Sequence, residues 1–176
     1  MVPTPIKWSP PPLGWFKLNI DGSSLGNPGL AGGGGVIWNH LGEWVGGFSR
    51  VIGFTTSVQA KLRTLKGGLL LAIDLGILQL KIEMDSLLAV ELINSITTFN
   101  TFFSTIVDDY KYLMESCKLS SLKHIFREAN GYVDILAKAD CDQLSDFISF
   151  SIVSAHVLET LAFDISNATR FHLISL

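Results

Sequence analysis

Residues 17–29 read KLNIDGSSLGNPG, and they change from an alternating pattern to a run of turn-forming residues. Lys17, Asn19 and Asp21 alternate with apolar residues, which predicts a strand with one polar and one apolar face. Asp21 would be the last residue of that strand. The same Asp, followed by Gly-Ser-Ser, also fits a plain turn, because Asp bonds its own backbone and Gly tolerates positive φ.

The patterns that follow predict an α/β domain. Three strands precede a long amphipathic helix, which begins near Ser57 and stops at Gly76. A fourth strand, two helices, a fifth strand and a last helix come next. Joining the first strand to the fourth through a long helix favours a parallel, right-handed crossover within one sheet. The predicted strands are 15–21, 31–39, 43–53, 80–84 and 120–126, and the last helix is 132–144.

Three acids are predicted to meet at one edge of this sheet. Asp21 and Asp85 end neighbouring strands, and Asp134 lies in the first turn of the last helix. Ligands of open α/β sheets bind at that edge. Each acid also has a structural reading: Asp21 as a turn former, Asp85 as a helix cap before Ser86, and Asp134 as a partner of the helix dipole. Three converging carboxylates repel one another unless a cation neutralises them.

Composition limits the classes of function. The net charge is −3 and the sequence pI is about 5.7, which excludes the broad basic surface of a strong nucleic-acid binder. We therefore expect only weak nucleic-acid binding by a monomer. Cys117 and Cys141 are isolated and form no CxxC motif, so we predict reduced thiols in an intracellular protein of the nucleus or cytoplasm.

Both ends of the chain differ from the central region. Residues 1–14 carry five of the six prolines and predict an extended linker, as in a domain that follows another one in a larger polyprotein. The start of the chain does not resemble a signal peptide. Residues 142–176 predict an apolar extension, but the apolar run 147–163 is too short for a membrane span and contains His156 and Glu159. We expect no membrane partner.

Three segments in order carry a family resemblance: NIDGSSLGNPGLAGGGGVIWNHLGEWVGGFSR (19–50), IEMDSLLAVELI (82–93) and HIFREANGYVDILAK (124–138). Over residues 15–141 the chain resembles type 1 ribonuclease H, in particular the plant ribonuclease H-like domains found alone or in retrotransposon polyproteins. The resemblance implies the ribonuclease H-like fold, a five-stranded mixed sheet of order 3-2-1-4-5 with helices on both sides. It also implies cleavage of the RNA strand of RNA–DNA hybrids by two Mg²⁺ ions.

The resemblance assigns catalytic and metal-binding roles to Asp21, Asp85 and Asp134. The family's fourth ligand is the second Glu of an EAEL motif, and here those residues are Gln59-Ala60-Lys61-Leu62. Lys61 therefore replaces that Glu, and its helical spacing points its side chain toward the acid edge. An ordinary lysine reaching solvent is the alternative. Three Asp and one Lys carry a net charge of −2 where four acids would carry −4, which predicts reduced Mg²⁺ affinity and an impaired enzyme, weak or inactive, with Lys61 as a tethered counter-ion.

Nucleic-acid contacts are predicted from the same resemblance. They involve the segment after the first strand and the REAN segment, where a brace for the last helix is the alternative role. His124 is predicted to lie in the fifth strand with a structural role. The candidate nucleic-acid-binding residues are Gly22, Ser23, Ser24, Asn27, Gly29, Arg127 and Asn130.

Three functions follow from these patterns. The first is an RNA–DNA hybrid endoribonuclease that is impaired by Lys61. The second is a non-catalytic nucleic-acid or protein interaction module that retains the fold. The third is a phosphate or dinucleotide site at GNPGLAGGGG, which we disfavour because the glycines lead into a strand where such sites require the start of a helix.

Overall fold

The computed structural model describes residues 2–6, 8–95, 103–130, 133, 146–151 and 170–174. A short 3-10 helix within these residues spans Arg127–Ala129. The strands and helices are β1 Val2–Ile6, β2 Phe16–Gly26, β3 Gly29–Trp38, β4 Trp44–Thr55, α1 Ser57–Asp74, β5 Gln79–Met84, α2 Leu87–Asn94, α3 Ser104–Ser116, β6 Leu119–His124, β7 Phe147–Phe150 and β8 Arg170–Ile174.

The main sheet has the order β6-β5-β2-β3-β4-β7. Strands β2, β3 and β4 form the predicted antiparallel meander, and β5 and β6 are added in parallel. The five predicted strands correspond to β2 to β6, and their predicted order, 3-2-1-4-5, is confirmed. The mixed α/β class is confirmed as well. The predicted number of strands is wrong by one, because β7 pairs with β4 and extends the sheet to six strands. Strands β1 and β8 form a separate two-stranded antiparallel sheet.

Helix α1 covers one face of the meander and forms the centre of the core. Thr56 caps its N-terminus by accepting a hydrogen bond from the backbone N–H of Gln59. Leu62, Leu65 and Leu69 are fully buried, as the helical spacing predicts. The helix ends before Gly76, whose φ of 69° lies in the left-handed region that favours glycine.

Strand β2 continues five residues beyond the predicted end. The prediction that Asp21 ends the strand is wrong, because Asp21 pairs with Gly34 and the ladder with β3 runs on to Gly26 and Gly29. The alternation of polar and apolar residues disappears among the glycines and serines, whereas the backbone pairing does not depend on it. Only the parallel pairing with β5 stops earlier, at Ile20.

Two glycines allow α1 to lie close to the sheet. A Cβ on Gly22 would lie 2.6 Å from the carbonyl carbon of Ala60, and a Cβ on Gly33 would lie 1.8 Å from Thr64 Oγ1. Non-bonded atoms do not approach each other this closely, so neither position has room for a Cβ atom unless its neighbours move. The glycine-rich segment is therefore a packing surface for a helix.

Contacts cross both predicted domain boundaries, and the division at residues 14 and 141 stays a prediction. Trp8, in the proline-rich segment, donates from Nε1 to Asn19 Oδ1 at 3.2 Å. Strand β7, in the predicted extension, pairs with β4. Of the two thiols, Cys117 is free and buried, while Cys141 lies outside the described residues. No helix in the described ranges is both long and apolar enough to cross a membrane.

Candidate functional site

Two aspartates reach the same edge of the sheet from neighbouring parallel strands. The pairing of β2 with β5 ends at Ile20 and Met84, so Asp21 and Asp85 follow directly after it. Their side chains are 2% and 8% exposed. The structure brings these two predicted acids together, and the third, Asp134, lies outside the described residues.

Lys61 lies between the two acids. Its Nζ donates to Asp21 Oδ1 at 2.5 Å and to Asp85 Oδ1 at 2.6 Å. Helix α1 can place it there because Gly22 lets the helix backbone approach β2. The Lys61 side chain is only 15% exposed, so it does not extend into solvent as the alternative interpretation required.

Opposing effects act on the pKa of Lys61. Burial is the largest single effect and lowers the pKa, because desolvation disfavours the charged ammonium. The Asp21 and Asp85 carboxylates raise it by charge and by hydrogen bonding, and together they exceed the effect of burial. The pKa of Lys61 is therefore raised above its ordinary value of 10.5, and the ammonium is charged at neutral pH.

The purely structural readings of the two acids do not fit this geometry. Asp21 lies within a strand and not in a turn. Asp85 does not cap α2, because Ser86 Oγ accepts the hydrogen bond from the Ala89 N–H at 3.3 Å. The carboxylate of Asp85 is directed to Lys61 instead. The catalytic and metal-binding roles of Asp21, Asp85 and Asp134 stay predictions.

The predicted nucleic-acid contacts after Asp21 also have structural roles. Ser24 Oγ donates to the Thr55 carbonyl at 2.8 Å, and Asn27 Oδ1 accepts from the Ser57 N–H at 3.1 Å. These bonds fix the β2–β3 hairpin to the end of β4 and to the start of α1. Gly22 and Gly29 are buried, whereas Ser23 is half-buried and accessible to a ligand. Any nucleic-acid contact by this segment stays a prediction.

The REAN segment attaches to the sheet beneath the acids. Asn130 is buried and donates from Nδ2 to the Ile20 carbonyl at 2.9 Å, next to Asp21 in the chain. This bond fixes Asn130 to β2, and its predicted roles as a brace for the last helix or as a phosphate contact stay predictions. Arg127 is exposed in the 3-10 helix, and His124 is the last residue of β6, where its ring meets Phe126 edge-on.

The sequence patterns missed a polar network that joins β2 to the neighbouring strand β5. Asn19 Nδ2 donates to Glu83 Oε2 at 3.0 Å, and Lys17 Nζ lies 2.8 Å from Glu83 Oε1. Lys17 also donates to the Ser9 carbonyl at 2.7 Å. The available signal was the alternation of residues 17–21, which placed Lys17 and Asn19 on one face. It did not reveal that the proline-rich segment covers them.

At the acid edge, the two described carboxylates, Asp21 and Asp85, both accept hydrogen bonds from the Lys61 ammonium. Hard cations require several oxygen ligands, whereas an ammonium here occupies the space between the two carboxylates. Within the described residues, no group of three or more Asp, Glu, His or Cys side chains could hold a metal ion. Asp134 lies outside these residues.

The sequence profile of a family described as reverse transcriptase-like matches residues 19–140. The chain belongs to this family. A protein of Arabidopsis thaliana, named as a candidate ribonuclease H protein, is 34% identical over 165 residues. These residues make up 94% of the chain but only 27% of that protein's length. The activity of that whole protein is therefore not assigned to this reverse transcriptase-like domain.

Solved structures support the ribonuclease H-like fold of this reverse transcriptase-like domain. Ribonuclease H1 of the archaeon Halobacterium salinarum superposes with a TM-score of 0.68 and 27% identity, covering 72% of this chain and 97% of its own. Ribonuclease H1 LC11 in complex with an RNA/DNA hybrid gives a TM-score of 0.67 and 26% identity, with coverages of 72% and 96%. The prototype foamy virus protease–reverse transcriptase, 15% identical with a TM-score of 0.59, shares the fold over 74% of this chain and 21% of its own.

Proposed function

We propose that this ribonuclease H-like domain binds nucleic acid weakly and does not hydrolyse RNA–DNA hybrids. The observation that supports the proposal is the ammonium of Lys61 within 2.6 Å of both Asp21 and Asp85. Lys61 then serves as a built-in counter-ion that balances the acids without a metal. On this proposal the domain is a pseudoenzyme derived from a nuclease.

Charge explains why a lysine at this position abolishes the activity. Two-metal phosphodiester hydrolysis depends on two divalent ions about 4 Å apart, one on each side of the reacting phosphate. A fixed ammonium between Asp21 and Asp85 repels any divalent ion that approaches the same oxygens. Each unit-charge interaction at ~4 Å is worth about 4 kcal/mol at an effective dielectric of 20. Since 1.4 kcal/mol is a factor of ten, we expect millimolar Mg²⁺ not to fill both positions.

The decisive experiment is a cleavage assay with a labelled RNA–DNA hybrid in Mg²⁺ and in Mn²⁺. We expect wild type to remain at background and Lys61→Glu to cleave at least about tenfold faster, because the substitution removes one positive charge and adds one negative charge. The gain will be incomplete if the residues that support the fourth carboxylate have also changed, since loosely held ligands do not enforce metal geometry.

The double variant Lys61→Glu/Asp85→Asn is the matched control and should return to background. Wild-type cleavage that Asp85→Asn abolishes would contradict the proposal directly. Lys61→Glu protein that folds, binds Mg²⁺ and still fails to cleave would show that Lys61 is not what prevents hydrolysis.

Thermal stability provides a test that does not depend on activity. A ligand that binds only the native state adds RT ln(1 + [L]/Kd) to stability, about 2.7 kcal/mol at 100 times Kd. We expect 10 mM Mg²⁺ to leave the melting temperature of wild type within ~1 °C, and to raise that of Lys61→Glu by several degrees. A large Mg²⁺-specific shift in wild type, abolished by Asp21→Asn, would mean that Lys61 leaves the acids.

A second candidate function is a protein interaction module that retains the fold. On this alternative the domain serves as one part of a longer polyprotein, as in the prototype foamy virus protease–reverse transcriptase, of which the matched region makes up 21%. Hybrid binding measured in EDTA separates the two functions. Saturable, salt-sensitive binding supports the nucleic-acid role, whereas no binding at low salt supports the protein partner.

A further inference from the structure

The proline-rich segment and three strands enclose a cleft that is separate from the acid edge. The cleft has a volume of about 280 Å³. Of its strand residues, Glu83 lies nearest to the acids, two residues before Asp85, which is ~7 Å along a strand, and Lys17 lies four residues before Asp21. The lining residues are Ser9, Pro10, Pro11, Pro12, Lys17, Lys81, Ile82, Glu83, Ser121 and Lys123.

The walls of the cleft are held in place by side chains. Trp8 is bonded to Asn19 and packs against Trp38, with ring centroids 5.4 Å apart. Lys17 donates to the Ser9 carbonyl, so the segment is fixed just before Pro10–Pro12. The proline rings fix the backbone φ angles of these three residues. The cleft is thus largely preformed, as small-molecule sites usually are.

The cleft has an excess of positive charge. Its lining contains three lysines and one carboxylate, Glu83, which is neutralised by Lys17 at 2.8 Å. None of the ion pairs among the described residues involves Lys81 or Lys123. Lys81 lies over the Trp15 ring, with Nζ 5.5 Å from its centroid. What distinguishes Lys81 and Lys123 is that they share this cleft with Lys17, so its lining carries a net positive charge although the net charge of the chain is −3.

Strand register explains why an anion would be stabilised here. Lys17 is the direct neighbour of Lys81 on the parallel strand, and Lys81 is the neighbour of Ser121. Like charges directly opposite each other are destabilising in a sheet. An anion between the strands relieves this repulsion, and the hydroxyls of Ser9 and Ser121 can donate to its oxygens.

We propose that this cleft binds a phosphate monoester, carried either by a free nucleotide or by the 5′ end of a nucleic-acid strand. Lysine is a common phosphate ligand, acting as a point charge. The volume is near the lower limit of ~300 Å³ for small-molecule sites, which fits a phosphate with one attached nucleoside and excludes a buried peptide. The proposal does not depend on the state of the Asp21–Lys61–Asp85 site.

Calorimetry with 5′-AMP, adenosine and inorganic phosphate tests the proposal on the full chain. We expect 5′-AMP to bind at least tenfold more tightly than adenosine.

Lys81→Ala/Lys123→Ala should weaken 5′-AMP binding about 100-fold, at roughly tenfold per charge. The matched control is Lys66→Ala/Lys118→Ala, which removes two exposed lysines outside the cleft and should change binding less than threefold. Lys123→Glu replaces a positive charge with a negative one at an exposed position and leaves Lys81 in place. This single variant should therefore also weaken 5′-AMP binding.

Three outcomes would overturn the proposal. The first is equal binding of 5′-AMP and adenosine, and the second is an equal loss of binding in both double variants. The third is displacement of 5′-AMP by a poly-glutamate peptide at the same concentration at which phosphate displaces it.

The two sources of phosphate are separated with a single-stranded oligonucleotide, with and without a 5′ phosphate. Phosphate-dependent binding of the strand identifies a strand end. Binding of 5′-AMP alone identifies a free nucleotide. These measurements leave Lys61 unchanged, so their failure does not affect the test of the proposed function.

Discussion

Lys61→Met is expected to lower the free energy of unfolding by about 3–5 kcal/mol at pH 7. The ammonium donates to two carboxylates whose side chains are 2% and 8% exposed, and methionine preserves most of the side-chain volume while removing the charge. Asp21 and Asp85 would then be two buried negative charges beside each other. Urea denaturation of both proteins measures the difference, provided that the m-values agree.

Lys66→Met is the matched control on the same helix. Lys66 lies 3.8 Å from Asp109, and their side chains are 47% and 59% exposed. Such a pair contributes at most about 1 kcal/mol. Adding Asp21→Asn and Asp85→Asn to Lys61→Met should recover part of the lost stability, because it removes the repelling charges. Equal effects of Lys61→Met and Lys66→Met would refute the buried ion pair.

The contribution of Lys61 to stability should persist to high pH. Its folded-state pKa is raised above 10.5, so folding favours the protonated form. The stabilisation is therefore fully present below the unfolded-state pKa and is lost only as the pH rises through the higher, folded-state value. We expect the stability difference between wild type and Lys61→Met to be constant from pH 7 to about 10 and to shrink above that. A difference that vanishes near pH 8 would contradict a charged ammonium between the acids.

Gly22→Ala is the second substitution with a large expected effect. The new Cβ would lie 2.6 Å from the Ala60 carbonyl carbon and 2.7 Å from the Lys61 amide nitrogen, both in the backbone of α1. The helix must move, which destabilises the fold by about 3 kcal/mol, at the upper end of overpacking effects. The same movement pulls Lys61 from the acids. Gly22→Ala and Lys61→Met should therefore be less than additive in a double-mutant cycle.

Gly46→Ala is the control for Gly22→Ala in another strand of the sheet. Its Cβ would meet Leu75 Cδ1 at 3.4 Å, the Phe150 carbonyl oxygen at 3.8 Å and Leu71 Cδ2 at 3.9 Å, all ordinary contact distances. Since Ala restricts the unfolded chain more than Gly does, we expect a change within about 1 kcal/mol of wild type, of either sign. Equal losses for Gly22→Ala and Gly46→Ala, measured by urea denaturation, would show that close helix packing at Gly22 is not the cause.

The local patterns of the chain predicted most of the sheet and its order. Alternation in β2 and β5 and helical spacing in α1 are properties of neighbouring residues, so they can be read without knowing the fold. The end of β2 was misplaced because glycine and serine carry no alternation, although their backbones pair with β3. The sixth strand was missed because β7 has only four residues and depends on its partner, β4.

The sequence by itself determined that two strands would deliver Asp21 and Asp85 to one edge and that a lysine, not a glutamate, would stand at position 61. Only the tertiary structure decided that the ammonium lies within 2.6 Å of both carboxylates. That contact joins residues 40 and 24 positions apart, and it depends on how closely α1 packs against Gly22. The cleft beside the proline-rich segment was equally hidden, because Lys17, Lys81 and Lys123 become neighbours only when the strands pair. Side-chain periodicity is set by the local backbone, whereas the distances between charges on different elements are set by packing.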